Sequence, residues 1–573
     1  MKALPVLLLS SLFAVATASA ARPAAPLQLA DAPARCAALP RMAGAALGDP
    51  STRIDHAQMS ADTTLPEHCD LIGSMRHRTG AYGQAYAIRF HLRLPRSWNG
   101  RFLFMGGGGT NGNLGTALGP PQQGLAQGFA IVSTDTGHDN GSNNVAERGG
   151  TASFGHDYQA RLDYAEAALD SVATAAKKLV ASFYGRPADA NYFSGCSNGG
   201  REGVVFAQRF PAQFDGIVAA APAIALPKAA VAQAWDTQAF ARAATALGKA
   251  RNGLPDLAGS FSAADWQLVD AAILAACDKD DGIADGMVLV PSACTRARVR
   301  PELARRLCRG GKRETCLAPA QVDALLDALD GPRSRDGKAL YASWPWDAGI
   351  GAPGWLAWKI GDAGNAGRNV TLGAQSTAAL FLTPPHILAD RPEDGLRFQL
   401  GFDFDADAAG IFATAPGFPR SSWDMIGVRS ADLAEFAARG GRMIVPHGGS
   451  DPVFSLLDTI AWWRSVDAAA GGKAANFVRV FPVPGMNHCG GGPATDRYDA
   501  LAALIAWVEQ GRAPDAIPAS AGPGTPWPGR RRPLCAYPTM PHYRGGDIEA
   551  AESFACTLAD RRQRRGSELP VKP

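Results

Sequence analysis

The sequence predicts an α/β fold with a mostly parallel sheet, and three observations lead to this prediction. Short apolar runs, each followed by a turn, recur along the chain and are typical of buried strands. Helix-like stretches lie between them: Arg161–Phe183 has apolar residues at helical spacing, and Gly203–Phe210 follows a glycine-rich turn. Strands that alternate with helices indicate a parallel sheet. The predicted strands are Arg101–Met105, Phe129–Ser133, Asn191–Ser194, Gly216–Ala220, Arg442–Val445 and Phe477–Phe481.

The middle of the chain breaks this alternation and predicts a second domain. Residues 226–436 begin with an alanine-rich helical run, Lys228–Lys249, and contain four cysteines and a tryptophan-containing loop stretch, Ser343–Gly361. An insertion between the late strands of an α/β domain commonly forms a lid over the active site. We therefore predict a lid domain at 226–436 and a catalytic domain formed by 21–225 and 437–573.

Composition excludes several classes of protein. The 573 residues carry 56 Lys+Arg against 53 Asp+Glu, and 46% of them are hydrophobic. This apolar content and the small net charge of +3 argue against intrinsic disorder. The balance also lacks the basic excess of nucleic-acid-binding proteins, so no nucleic-acid partner is predicted. The segments Arg530–Arg532 and Arg561–Arg565 are interpreted as solvated loop and tail charges.

Residues 1–20 have the layout of a secretory signal peptide. One lysine precedes an apolar stretch, Leu4–Val15, and the small residues Ala18, Ser19 and Ala20 follow it. The alternative, a membrane anchor, would need an apolar run of about 20 residues. We therefore predict cleavage near Ala20, a secreted or periplasmic protein, and no association with a membrane.

Ten cysteines fit an exported chain, in which an even number favours disulfides. The C-x-x-C pairs that would suggest zinc are absent from the sequence. A count does not fix connectivity, but closeness in the sequence suggests four pairs and leaves Cys196 for Cys489. The four suggested pairs are Cys36–Cys69, Cys277–Cys294, Cys308–Cys316 and Cys535–Cys556.

The strongest catalytic signal is Gly195-Cys196-Ser197-Asn198-Gly199, a G-x-S-x-G motif between a predicted strand and a predicted helix. In this context a sharp turn projects the serine hydroxyl above the sheet, and the glycines avoid side chains that would clash. The alternative is an ordinary strand-to-helix turn, because the five-residue pattern is common in glycine-rich proteins. We predict that the serine is a nucleophile.

A nucleophilic serine needs a base and a group that orients the base, expected later in the chain in the order Ser, Asp, His. Asp451 follows the strand Arg442–Val445, and His488 follows the strand Phe477–Phe481. We predict that His488 takes the serine proton and later gives it to the leaving alcohol, while Asp451 fixes the imidazole tautomer. His447 is a competing histidine, but its position before the acidic turn favours a structural or pocket-lining role.

The catalytic order and the cysteine pairing support each other. Cys196 directly precedes Ser197, and Cys489 directly follows His488. If the serine and the histidine meet, the two cysteines must also lie close together. Two independent arguments therefore predict one disulfide that joins distant segments beneath the active site.

The glycine run Gly106–Gly109 follows a predicted strand and is a second part of the predicted site. A backbone N–H of this loop, assigned to Gly108, and the N–H of Asn198 would form the oxyanion hole. The run also matches the dinucleotide pattern G-x-G-x-x-G, which is weak alone. The residues that follow it, NLGTALGPP, make a poor phosphate-binding helix, and exported proteins rarely use free dinucleotides. No organic cofactor is predicted.

The segment CDKDDGIADGM, residues 277–287, gathers aspartates in a glycine-broken loop. Hard oxygen ligands at such spacing suit Ca²⁺. It is not an EF-hand, because the twelfth position counted from Asp278 is Leu289, where a bidentate glutamate is required. Spacing alone leaves open whether the loop binds a metal or is a solvated acidic turn.

Taken together, these motifs resemble the tannase/feruloyl esterase family, which includes hydrolases of terephthalate monoesters. The resemblance covers essentially the mature chain and its cysteine layout. Its most specific part is the combination of Cys196-Ser197, Asp451 and His488-Cys489. It rests on GCSNGGREG (195–203), RFPAQFDGIVAAAPA (209–223), CDKDDGIADG (277–286), HGGSDPVFS (447–455) and GMNHC (485–489).

The resemblance implies an α/β-hydrolase core with a large lid, the serine triad and the Cys196–Cys489 disulfide. It also implies a structural calcium, held by Asp278, Asp281 and Asp285 and by the carbonyls of Ile283 and Met287.

The substrate it implies is a small aromatic ester such as a galloyl or feruloyl ester, and His447 and Phe454 are assigned as substrate-binding. A terephthalate monoester is the alternative within this class. A catalytically silent, calcium-stabilised binding protein is the alternative from another class.

Overall fold

The computed structural model describes residues 26–119 and 123–558, so the predicted signal peptide at 1–20 lies outside the described residues. The central sheet has nine strands. They are β1 (Arg53–Met59), β2 (His68–Thr79), β3 (Ala85–Pro95), β4 (Arg101–Met105), β5 (Ala130–Thr134), β6 (Ala190–Cys196), β7 (Gly216–Ala220), β8 (Arg442–Gly448) and β9 (Val478–Val483). Their spatial order is β9-β8-β7-β6-β4-β5-β3-β2-β1.

The sheet is mostly parallel, as predicted. Strands β4 to β9 pair in parallel with their neighbours, whereas β1, β2 and β3 form an antiparallel edge that joins the rest through β5. The antiparallel edge was not predicted, because β1 is partly exposed along its length and lacks a continuous apolar run. All six predicted strands exist: Arg101–Met105 and Gly216–Ala220 have the predicted ends, and the ends of the other four shift by at most three residues.

The alternation of side chains along each parallel strand places the sheet between two apolar layers. In β4, Phe102 and Phe104 pack into one buried cluster, and Leu103 packs into another on the opposite face. Both layers are completed by helices from the catalytic domain. These helices are Ala168–Tyr184, Asn198–Arg209, Leu456–Ala469 and Ala500–Gln510.

The chain between β7 and β8 is helical and has a hydrophobic cluster largely of its own. Its long first helix, Leu226–Ala246, has Pro227 in the first turn, where a missing N–H costs nothing. Helix Ala263–Cys277 starts with a capping box between Ser262 and Asp265. The other helices here are Arg296–Arg305, Pro319–Asp330, Pro353–Lys359, Pro392–Leu400, Ser422–Ile426 and Ala434–Ala438. We call residues 226–436 the lid; its exact limits stay a prediction.

Two of the predicted helices differ in detail. The stretch predicted as Arg161–Phe183 contains a π-helical turn, Asp163–Ala167, before the regular helix Ala168–Tyr184. The helix predicted from Gly203 begins at Asn198, immediately after the serine. Smaller helices lie at Ala32–Ala38, Gly44–Leu47 and Tyr158–Leu162, and further π-turns lie at Asn369–Gly373 and Thr377–Phe381.

All five suggested disulfides form, and none of the described cysteines is free. Two small C-terminal sheets carry the last of these bridges, Cys535–Cys556. Their strands are Arg497–Tyr498, Ala516–Ser520, Arg531–Cys535, Thr539–Tyr543 and Phe554–Leu558. Within 26–119 and 123–558, no helix combines the length and apolar character needed to cross a membrane.

Candidate active site

The strand-to-helix turn after β6 presents Ser197 in a strained conformation. Ser197 has φ 66° and ψ −124°, a backbone geometry that L residues rarely adopt, and helix Asn198–Arg209 begins with the next residue. The turn is tight enough that a Cβ on Gly195 would come within 2.7 Å of the backbone of Gly199. The strained serine and the close glycine contact match the nucleophile turn that the motif predicts.

The structure brings the three predicted catalytic side chains into one hydrogen-bonded line. The Nε2 atom of His488 lies 2.8 Å from the Oγ atom of Ser197. The Nδ1 atom of the same ring lies 2.8 Å from the Oδ2 atom of Asp451. Ser197 and His488 are half-buried and Asp451 is buried, so the serine end is the accessible one. These distances allow proton transfer from serine to histidine.

Asp451 is held as an anion by its surroundings. The backbone N–H groups of Val453 and Phe454 donate to its Oδ1 atom at 2.8 and 3.0 Å. Burial alone would raise the pKa of Asp451, but the imidazoles of His488 and His447 lower it well below its ordinary value. The carboxylate is therefore ionised over the whole neutral range and can orient His488 throughout it.

His447 does not occupy the position predicted for a substrate-binding residue. Its side chain is completely buried at the end of β8. Its ring bonds the hydroxyl of Thr459 and the carbonyl of Phe454, both at 3.0 Å, and its Nε2 atom lies 3.5 Å from Asp451. The substrate-binding assignment is therefore wrong for this residue, because the ring supports the acidic turn from behind.

The backbone around the glycine run narrows the choice of oxyanion donors. Gly106 donates its N–H to the carbonyl of Ser194, and Gly107 donates to the Glu202 carboxylate. These two N–H groups are already used inside the protein. The N–H of Asn198 has no intrahelical acceptor because it opens a helix. Gly108 has open space around its α-carbon, and its role as donor stays a prediction.

A small cavity opens beside Ser197, between the catalytic domain and the lid. The rings of Trp358 and Phe454 lie edge-on to His488, with centroid distances of 5.6 and 5.4 Å. Phe454 thus lines the cavity, and its contact with substrate stays a prediction. The remaining lining residues include Gly109, Thr110, Tyr164, Leu226, Ala230, Gln233, Leu372, Gly373, Ser376, Phe381 and Val453.

Sequence motifs did not identify most of this lining. Trp358 lies in the tryptophan-containing stretch, but no local pattern distinguishes it from the other tryptophans there. Leu372 and Phe381 lie in the two lid π-turns, and such turns are frequent at functional sites. A π-turn depends on tertiary packing rather than on a recognisable run of residues, so sequence inspection missed it.

The predicted calcium loop is partly organised by hydrogen bonds of its own. Asp278 accepts the N–H groups of Asp285 and Gly286, both at 3.1 Å to its Oδ1 atom. The Oδ2 atom of Asp281 is buried and has no hydrogen-bond partner. No group of three or more His, Cys, Asp or Glu side chains in the described part of the chain is positioned to hold a metal ion.

The arginines near this loop are not solvated as predicted. Arg530 and Arg532 are 4% and 1% exposed, and both pair with Asp285. The guanidinium of Arg530 also donates to the Asp285 carbonyl at 2.7 Å and pairs with Glu549. The interpretation holds for Arg531, which is exposed, but is wrong for Arg530 and Arg532, because the C-terminal hairpins fold over the acidic loop. The segment Arg561–Arg565 lies outside the described residues.

Comparisons with known proteins agree with this geometry. The family model for tannase and feruloyl esterase matches residues 69–557. The chain is 46% identical over 519 residues to mono(2-hydroxyethyl) terephthalate hydrolase of Piscinibacter sakaiensis, covering 86% of this chain and 85% of that protein. It is 30% identical over 478 residues to a probable feruloyl esterase of Arthroderma benhamiae, with 81% of each chain covered.

Solved structures show the same fold at lower sequence identity. Feruloyl esterase B from Aspergillus oryzae matches with a TM-score of 0.69 and 22% identity, covering 92% of this chain and all of that one. The tannin acyl hydrolase from Aspergillus niger matches with a TM-score of 0.66 and 19% identity, covering 95% and 98%. The α/β-hydrolase fold is confirmed, and the alternative of a silent binding protein is not supported. The chain belongs to the tannase and feruloyl esterase family and is a carboxylic ester hydrolase.

Proposed function

We propose that the protein hydrolyses small esters of aromatic acids through an acyl-enzyme on Ser197. The observation that carries this proposal is the line from Ser197 through His488 to Asp451, with 2.8 Å at each step, at the end of a ring-lined cavity. Trp358, Phe381 and Phe454 offer apolar and edge contacts to one aromatic ring.

The chemistry follows from these positions. The Ser197 oxygen attacks the ester carbonyl carbon while its proton moves to the Nε2 atom of His488. The N–H groups of Asn198 and Gly108 stabilise the oxyanion. When the tetrahedral intermediate collapses, the alcohol leaves with the proton from His488. Water then gives a proton to His488 and attacks the acyl-enzyme, and the acid leaves as Ser197 regains its proton.

Two polar side chains in the cavity are available to a substituted ring. Gln233 and Ser376 are 7% and 5% exposed and line the cavity together with apolar residues. Buried polar groups of this kind favour a ligand that satisfies them. A phenolic hydroxyl, as in galloyl or feruloyl groups, is a neutral partner that both side chains can bond.

A second candidate substrate is a terephthalate monoester. It is favoured by the 46% identity to a mono(2-hydroxyethyl) terephthalate hydrolase and by the position of one cation. The guanidinium of Arg368, an exposed residue, stacks over the ring of Trp358 at 5.5 Å from its centroid. Because Trp358 lines the cavity, a carboxylate on the far side of the bound ring would come near this charge.

The substrate panel that tests both candidates compares methyl gallate, methyl ferulate, ethyl benzoate and mono(2-hydroxyethyl) terephthalate. If the protein hydrolyses none of these four esters, the proposed function is contradicted. If the terephthalate monoester is the preferred substrate, Arg368→Ala should lower its kcat/KM about 10–100-fold, the size of a charged hydrogen bond. The same change should leave ethyl benzoate within about threefold. Arg391→Ala, another exposed lid arginine, is the control and should alter neither substrate.

We also propose that the loop 277–287 binds a structural Ca²⁺. Three features of the loop support this: its oxygen-only donors, the buried and unpartnered Oδ2 atom of Asp281, and the presence of three aspartates between positions 278 and 285 of the sequence. Asp278, Asp281 and Asp285 would hold the ion with the carbonyls of Ile283 and Met287. Since Asp285 is also bonded by Arg532, the ion would share that carboxylate with a guanidinium.

Chelation is expected to lower the melting temperature while slowing catalysis at low temperature only modestly. Binding to the folded state alone contributes about 2.7 kcal/mol at a hundredfold excess of ligand over Kd. The measurement is a set of melting curves with and without chelator. Asp281→Ala should have a lower melting temperature than the wild type, and chelator should not lower it further. Asp280 pairs with Arg298 and is outside the proposed ligand set, so chelator should still lower the melting temperature of Asp280→Ala. Equal chelator response in all three proteins would contradict the site, as would purified protein without calcium.

We propose that the protein works outside the cytoplasm. The five disulfides support this, because such bonds persist in oxidising compartments. The N-terminal sequence predicts export by a cleaved signal peptide.

A further inference from the structure

A completely buried carboxylate lies directly behind the nucleophile turn, and the catalytic cycle above does not use it. Glu202 is on the second turn of helix Asn198–Arg209 and has no exposed surface. Its Oε2 atom accepts the N–H of Gly107 at 3.0 Å. Its Oε1 atom accepts the side-chain amides of Asn111 at 2.7 Å and Asn198 at 3.0 Å. One carboxylate thus bonds both the glycine loop that contains Gly108 and the helix that begins at Asn198, the two proposed oxyanion donors.

The backbones that Glu202 bridges are in direct contact. A Cβ on Gly199 would lie 2.5 Å from the carbonyl oxygen of Gly107, and one on Gly106 would lie 2.8 Å from the α-carbon of Gly199. Only glycine allows this approach. The backbone contact sets the closest approach of loop and helix, and the hydrogen bonds of Glu202 hold the two together at it.

The partners of Glu202 are themselves fixed. The Oδ1 atom of Asn198 accepts from the Nε atom of Arg201 at 2.7 Å and from the hydroxyl of Tyr164 at 3.0 Å. These contacts determine which way the Asn198 amide faces, and its nitrogen is left to point at Glu202. The N–H of Asn111 in turn donates to the carbonyl of Gly108 at 2.9 Å. Glu202 therefore reaches the Gly108 peptide through Gly107 on one side and through Asn111 on the other.

We propose that Glu202 is a positioning residue that sets the distance between the two oxyanion donors, Gly108 and Asn198. It touches neither substrate nor the reacting atoms. A carboxylate suits this place because it only accepts hydrogen bonds, and all three of its partners are donors. A glutamine would direct its NH₂ group at one of these donors and loosen the loop. This inference rests on the proposed acyl-enzyme mechanism and adds to it the group that pre-organises the oxyanion hole.

The test compares Glu202→Gln with Glu166→Gln. Glu166→Gln is the matched control because it also removes a carboxylate that is bonded to helix Asn198–Arg209. Glu166 pairs with Arg209 of that helix and, on its other side, with Arg420. For each protein, kcat and KM are measured with 4-nitrophenyl benzoate. Two inhibition constants are measured as well: one for phenylboronic acid, which forms a tetrahedral adduct with a serine, and one for benzoate, which does not.

Glu202→Gln should lower kcat about 10–100-fold, somewhat less than the loss of a whole oxyanion donor. Binding of phenylboronic acid should weaken by a similar factor, while KM and benzoate inhibition stay within about threefold. Glu166→Gln should change none of these values by more than about threefold. If Glu202→Gln behaves like Glu166→Gln, or weakens benzoate as much as boronate, the positioning role is overturned.

A second variant covers the case in which Glu202→Gln does not fold. Asn111 has φ 61°, so Asn111→Gly keeps a backbone that glycine adopts freely while removing one bond to Glu202. It should show the same selective loss of kcat and boronate binding, on a smaller scale, and unchanged values would overturn the inference. Ser197→Ala separates a failure of the acyl-enzyme mechanism from a failure of the positioning role. If Ser197→Ala is active, the acyl-enzyme mechanism itself is contradicted. An inactive Ser197→Ala beside a fully active Glu202→Gln contradicts only the positioning role.

Discussion

Ser197→Ala and His488→Ala are each expected to lower kcat by about 10⁴–10⁶-fold, because triad members act as a unit and removing one disables the others. Asp451→Asn should cost about 10⁴-fold, since it removes the charge that orients His488 and favours the wrong tautomer. The measurement is kcat for a chromogenic aromatic ester, with circular dichroism to verify the fold. Ser194→Ala, on the strand that leads to the nucleophile, is the matched control and should remain active.

Two results would contradict this assignment. One is Ser197→Ala with near-wild-type kcat, which would move the nucleophile elsewhere. The other is an Asp451→Asn enzyme that keeps full activity, since the Nδ1 atom of His488 bonds the Asp451 carboxylate at 2.8 Å.

The second large effect is expected from replacing Cys196 and Cys489 together by alanine. Their bond closes a span of 293 residues, and the chain-entropy model assigns such a loop about 5 kcal/mol at its upper end. The melting temperature should therefore fall strongly. Activity should fall too, because each cysteine adjoins a triad residue and the bond holds Ser197 and His488 in register. Differential scanning calorimetry and kcat at low temperature measure the two effects separately.

The Cys308–Cys316 pair provides the control for this disulfide. It closes a span of only 8 residues in the lid, so the same model gives it about half the stabilisation. Replacing that pair should lower the melting temperature less and leave kcat unchanged. If both double variants lose equal stability and the Cys196–Cys489 variant keeps full kcat, the bond has no special role in the site.

The sequence was informative where the chemistry is local. Ser197, Asp451 and His488 lie one, three and five residues beyond the ends of three parallel strands, and the carboxyl ends of such strands meet at one edge of the sheet. Their meeting could therefore be predicted without a structure. The disulfide between Cys196 and Cys489 followed from the same adjacency, because neighbours of two residues in contact must themselves be near.

Other features depended on packing between distant segments and could not be predicted. His447 is a strand residue like those around it, and only the structure shows that its ring is enclosed by Thr459 and Phe454. Arg530 and Arg532 have the composition of a solvated loop but are buried against Asp285, which lies 245 and 247 positions away in the sequence. Burial of an arginine depends on its partner, and that partner lies in another domain.

The central claim is that Ser197 forms the covalent intermediate, and one measurement tests it most directly. The active enzyme is treated with a fluorophosphonate, digested, and mapped by mass spectrometry. We expect a single modified peptide that carries the label on Ser197, loss of activity in step with labelling, and protection by benzoate. A label on any other residue, or full inactivation without a label on Ser197, would contradict the acyl-enzyme mechanism.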